Sequence, residues 1–130
     1  MEKTYIRNMY EKKISENLDC GVNVANKIVG GKWRACIIDA ISRGIRRPSG
    51  LQREIPEAPS RVIQMHLREL EALQVIRKEA SGGFPLKAEY FLTAFGASVL
   101  PLIAVMDQWG NQHKEFVKEM AAAMMETTES

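Results

Sequence analysis

Ile63, Leu67, Leu70 and Leu73 are apolar at steps of four, three and three, and two residues later the pattern changes to short strand-like runs. That switch constrains the fold more than any other feature of the chain. The first spacing puts four side chains on one stripe of an α-helix. The runs VIRKEA (75–80) and KAEYFL (87–92) flank SGGFPL and predict a β-hairpin. Its loop is longer than two residues, so it is expected to project as a flap.

Upstream, IPEAPS holds two prolines in four residues and reads as a turn. Ser60 follows it, either capping the helix or donating to a phosphate. Before the turn, Pro48 suits a first helical turn, and Leu51 with Ile55 supplies an apolar contact. Lys32–Ser42 predicts a helix with Trp33, Cys36, Ile37, Ala40 and Ile41 on its buried side. Val22–Val29 predicts another, ended by Gly30-Gly31, and residues 3–18 a further one. Downstream, Thr93 is expected to cap a long helix over 94–112. Its apolar stripe is Phe95, Val99, Leu102, Ile103, Met106 and Trp109, with Pro101 inside the pattern and expected to bend it. HKEFVKEMAAAMM continues as helix and ETTES is expected to fray.

Two helices around a tight turn followed by a hairpin is a winged helix-turn-helix order, so the expected class is mainly α with a small β-hairpin. The 130 residues suit a single domain, and 45% apolar with 26% charged residues is an ordinary globular composition. The net charge of +2 is too small to imply a polyanionic partner by itself, so basic surface has to be argued locally. No apolar run is long enough for a membrane span and the N-terminus lacks a secretory pattern, which makes the cytoplasm the expected location. Two cysteines make no secreted-type disulfide framework.

If the leucine stripe faces the core, Arg61, Gln64, Met65 and Arg68 lie opposite it at i, i+3, i+4 and i+7. This suits a helix in the major groove. Arg61 could pair with guanine, Gln64 with adenine, Met65 could touch a thymine methyl, and Arg68 a phosphate. The bland alternative is a solvated helix face. Arg46, Arg47 and Ser49 open the preceding helix, where a phosphate oxygen would fit. Arg77, Lys78 and Lys87 lie on the hairpin and could follow the backbone or minor groove.

Several spaced motifs resemble the HxlR-type regulators, a branch near the MarR group of transcription factors. They are Cys20, GGKW at 30–33, LRELEAL at 67–73, AEYFLTAFG at 88–96, Leu100-Pro101 and Trp109-Gly110. The resemblance covers residues 20–112. The chain departs from the family's usual residues at 21–24, at Pro59 and at His66. The resemblance implies a dimeric winged-helix protein that binds a palindromic double-stranded operator and controls transcription. In that frame residues 1–19 form an N-terminal helix, 20–92 the DNA-binding core and 93–125 the dimerisation helices. The N- and C-terminal helices would form the dimer interface through Tyr5, Met9, Val99, Leu102, Ile103, Met106, Trp109 and Phe116, or else cover the subunit's own core. The resemblance also makes Cys20 a candidate redox sensor, the alternative being a partly buried structural cysteine. Cys36 reads as a core residue. A small-molecule or oxidant effector is a further expectation, an apolar ligand fitting between the long helices and the DNA-binding lobes.

Gly30-Gly31-Lys32 is not a phosphate loop, because Asn26 stands where a glycine is needed and Trp33 where a hydroxyl is needed. His66 and His113 read as ordinary surface histidines without metal-ligand company. The expectation is a non-enzyme without cofactor or metal. The competing class is a winged helix that binds partner proteins rather than DNA.

Overall fold

The computed structural model describes residues 16–81 and 87–129. The expected contacts of Tyr5 and Met9, most of the 3–18 helix and the tip of the flap lie outside these residues. Within them the order is α1 (Gly21–Val29), α2 (Arg34–Ser42), α3 (Pro48–Glu54), α4 (Ser60–Ala72), β1 (Ile76–Ser81), β2 (Lys87–Leu92), α5 (Ala94–Ala97) and α6 (Leu100–Glu129). Glu16–Leu18, expected to end the first helix, are not helical.

The core is shared by all the central elements. Ile37, Ile38 and Ile41 of α2, Leu51 of α3, and Ile63, Leu67 and Leu70 of α4 are buried with Val75, Ile76 and Tyr90. Each full burial of such an aliphatic side chain contributes about 1.5–3 kcal/mol. The outlier is Cys36, which was expected in this core but is exposed. The buried side of α2 runs through Ile37, Ile38, Ala40 and Ile41, and Cys36 lies off it.

β1 and β2 pair antiparallel, with Ile76 opposite Leu92 and Ser81 opposite Lys87. Tyr90 N–H donates to the Arg46 carbonyl at 2.8 Å, which ties the hairpin to the entry of α3. The turn from α4 into β1 sets where the hairpin stands. Gln74 N–H bonds the Glu71 carbonyl at 3.0 Å and Val75 N–H the Leu70 carbonyl at 2.9 Å, with Gln74 at φ 60°. This is a Schellman close to the helix. The same close ends α2, where Gly44 N–H bonds Ile41 and Ile45 N–H bonds Ala40, both at 3.0 Å, with Gly44 at φ 99°.

Two expectations fail at the start of the C-terminal region. Thr93 caps only the short α5, its hydroxyl accepting from Gly96 N–H at 2.9 Å. The long helix starts afresh at Leu100, so Pro101 is its second residue. There a missing N–H costs no helical bond, and no kink is required. The helix then runs unbroken to Glu129, through residues expected to fray. Gly96 lies just before the break, where a Cβ would stand 2.0 Å from the Val75 carbonyl oxygen. The chain crosses the end of α4 at backbone contact distance before α6 begins.

Candidate nucleic-acid interface

α4 presents two unlike sides. Ile63, His66, Leu67 and Leu70 are buried, whereas Arg61, Met65 and Arg68 are exposed and Gln64 is half-buried. The four expected base- and phosphate-contacting residues therefore share the outward side. Ser60 is not the cap. Pro59 occupies that position, Ser60 is the first helical residue, and no side chain caps this terminus. Ser60 is exposed at the helix start, where Val62 and Ile63 N–H donate to the Pro59 carbonyl at 3.0 and 3.1 Å.

A second cluster forms beside the hairpin. Arg47 precedes α3, Ser49 is in its first turn, and together with Pro48, Lys87 and Ala88 they line a cavity of about 260 Å³. Residues forty positions apart in the chain thus meet at one cationic hollow. Arg46 is placed differently: its guanidinium lies over the Phe91 ring, 4.3 Å from the centroid. Arg77 also lies over Phe91, at 4.6 Å, and pairs with Glu79. Cation–π contact of this kind holds a flexible arginine in place at about 0.5–1 kcal/mol when exposed. Phe91 was not singled out from sequence, although its position opposite Arg77 in the hairpin register is a signal that could have found it.

A buried polar cluster lies behind α4. His66, expected at the surface, is 8% exposed, as is Arg34. Arg34 Nε and Nη2 lie 3.4 and 3.2 Å from His66 Nδ1, Nη1 donates to the Lys27 carbonyl at 3.0 Å, and Nη2 also pairs with Glu69. Burial and the neighbouring Arg34 charge hold His66 below its usual 6.5, with Glu69 opposing weakly. The sequence carried the signal: position 66 lies three beyond Ile63 and four before Leu70, on the apolar stripe.

The expected dimer residues do not form one group. Val99 belongs to the subunit core, at 9% exposure, and Ile103 packs against it. Leu102, Met106, Trp109 and Phe116 are exposed, as are Val117 and Met120 further along α6. Trp109 stacks on His113 at 4.4 Å. A groove of about 860 Å³ separates α6 from α2 and the end of α3, with Trp33, Cys36, Asp39, Arg43, Ile103 and Met106 among its lining. Cys20 is half-buried at the start of α1. No group of ligands suited to a metal and no helix long and apolar enough to cross a membrane occurs among the described residues.

Residues 28–118 match the HxlR-like helix-turn-helix family. The HTH-type transcriptional regulator YkvN of Bacillus subtilis is 32% identical over 100 residues, covering 77% of this chain and 85% of the relative. Among solved structures, the HTH-type regulator ytcD superposes with a TM-score of 0.68 at 31% identity, over 74% of this chain and 98% of that one. The redox regulator HypR in its reduced form superposes at 0.71 with 29% identity, over 77% and 99%.

Proposed function

This chain belongs to the HxlR-like helix-turn-helix family, and on that premise we propose that it is a sequence-specific regulator of transcription that reads double-stranded DNA with α4. One observation carries the reading: Arg61, Gln64, Met65 and Arg68 share the outward side of a helix whose other side is locked into the core. Such a helix can enter a major groove without unfolding anything, and its N-terminal residues reach base edges. Arg61 takes guanine and Gln64 adenine, Met65 touches a thymine methyl, and Arg68 with Ser60 binds phosphate. Arg47, Ser49 and Lys87 hold the neighbouring backbone at their shared hollow, with Arg46 and Arg77 beside them.

The active species is a homodimer on a palindromic operator, its half-sites about 34 Å apart. The exposed apolar residues of α6, Leu102, Met106, Trp109 and Phe116, support this, since they extend beyond what the subunit core covers. The structural similarity to HypR, a redox regulator, supports Cys20 as the sensing thiol. A Cys20→Ser variant should then bind DNA but lose its response to oxidant. The groove between α6 and α2 gives an apolar effector room between the long helix and the DNA-binding part.

The test is binding to DNA from upstream of its own and neighbouring genes at two salt concentrations. Affinity should fall steeply with salt. Arg61→Ala should cost about 1–3 kcal/mol on the operator and almost nothing on random DNA. Equal losses on both would remove Arg61 from base reading. Absence of salt-sensitive DNA binding would favour a partner-protein role.

A further inference from the structure

The contact between Arg34 and His66 joins the first residue of α2 to the buried side of α4. A guanidinium carries donors only. A ring nitrogen that faces two of its nitrogens at 3.2 and 3.4 Å must therefore accept, so Nδ1 is bare and the ring proton sits on Nε2. The contact requires a neutral imidazole.

A proton on Nδ1 would set donor against donor and put two cations about 3.2 Å apart inside a buried seam. The surroundings offer little relief. Glu69, on the same helix, stands 3.9 Å from Nδ1 but is half-exposed and already engaged by Arg34. Lys27 of α1 contributes its carbonyl to Arg34 while its ammonium pairs with Glu16 at 2.5 Å. Among the described residues, the charged groups that act on His66 are thus Arg34 from α2 and Glu69 from α4 itself, with Lys27 behind Arg34.

Position matters as much as charge. His66 lies between Gln64, Met65 and Arg68 in sequence, one or two residues from each. Any roll or tilt of α4 that separates His66 from Arg34 moves those side chains with it. Resting on the DNA-reading role assigned to α4, we propose that Arg34 acts through His66 as a positioning residue for DNA recognition, and that protonation of His66 in mild acid loosens the seam and weakens operator binding. Neither residue needs to touch DNA. The device couples proton concentration to occupancy of the operator.

Linkage supplies the test: if the bound form needs neutral His66, operator binding must expel its proton, and acid must weaken binding by the same coupling. Operator affinity would be measured by fluorescence anisotropy from pH 5 to 8 at constant ionic strength, for the full chain and for His66→Gln. Circular dichroism would verify that both stay folded. Glutamine can accept from Arg34 but does not titrate. The unaltered protein should bind about tenfold more weakly at the acid end, while His66→Gln changes less than about twofold. Parallel profiles would overturn the proposal and leave the DNA-reading role intact, whereas no operator binding at any pH would overturn that role as well. Should His66→Gln not fold, NMR titration of the His66 ring in the unaltered protein decides, with His113→Gln used for assignment. The ring should stay neutral above pH 6.5 and titrate lower still when operator is bound. An identical titration with and without DNA would sink the coupling.

Discussion

Replacing Gln74 by glycine should stabilise this protein. Gln74 stands at φ 60°, the left-handed position of the Schellman close that turns α4 into β1. A residue with a Cβ loses about 1–2 kcal/mol in that conformation. Glycine escapes this cost but gives the unfolded chain extra freedom, about 0.5–1 kcal/mol. The net gain is about 0.5–1 kcal/mol. For 130 residues, an unfolding entropy of about 2.1 cal/mol/K per residue totals about 270 cal/mol/K, so Tm should rise by about 2–4 °C. The backbone bonds of the close and the Thr93 hydroxyl contact to the Gln74 carbonyl at 2.6 Å use no Gln74 side-chain atom, so the change leaves them in place. The molecule contains its own control, because Gly44 holds the equivalent position after α2 at φ 99°. Gly44→Ala should lower Tm by a similar amount. Thermal melts followed by circular dichroism at one fixed chain concentration would measure both, since an oligomer's midpoint moves with concentration. A drop in Tm for Gln74→Gly, alongside a drop for Gly44→Ala, would refute the reasoning: the two closes would then not share a backbone conformation.

Gly96→Ala should destabilise by about 1–3 kcal/mol in urea unfolding, because the new Cβ would stand 2.0 Å from the Val75 carbonyl oxygen and backbone must shift to admit it. An unchanged urea midpoint would mean that this crossing is looser than described. His66 sets a pH dependence of stability. Its folded pKa is held below the usual 6.5, so below that pH the unfolded chain binds more protons than the folded one. Stability should be level above about pH 7 and fall as pH drops below 6.5 toward the folded value; His66→Gln should flatten that part of the denaturation profile. Phe116→Glu alters a residue 62% exposed in the single chain, so it should leave subunit folding nearly intact while sedimentation shows loss of the proposed dimer. An unaltered protein that sediments as a monomer would remove the proposed dimer, and a variant that keeps a dimer's mass would place the interface elsewhere.

The local patterns were legible because each depends on residues near in sequence. The leucine stripe of α4, the prolines at 56 and 59, the glycines at 30, 31 and 44, and the strand-like runs around residue 82 predict their elements directly, and those elements are where they were expected. The outward placement of Arg61, Gln64, Met65 and Arg68 followed from the same periodicity, because a helix with one side buried leaves the other side out. Spaced motifs likewise carried the family.

What chain-local reasoning misjudged was set by contacts between distant segments. Periodicity alone puts Cys36 in the core and runs one helix from 94 through 112, but α2 buries a neighbouring stripe, and the helix is interrupted before Leu100, just after Gly96 passes against Val75. His66 lies on the apolar stripe, but a histidine there reads as a surface residue until a buried polar partner is known, and that partner, Arg34, lies 32 residues away. The union of Arg47, Ser49 and Lys87 at one hollow, and of Arg46 and Arg77 on one ring, likewise arises only when the hairpin folds back on the entry to α3. Hydrophobic period decides which way a helix faces. Which polar groups meet across the seams is decided by the packing of whole elements, which no single stretch of the chain encodes.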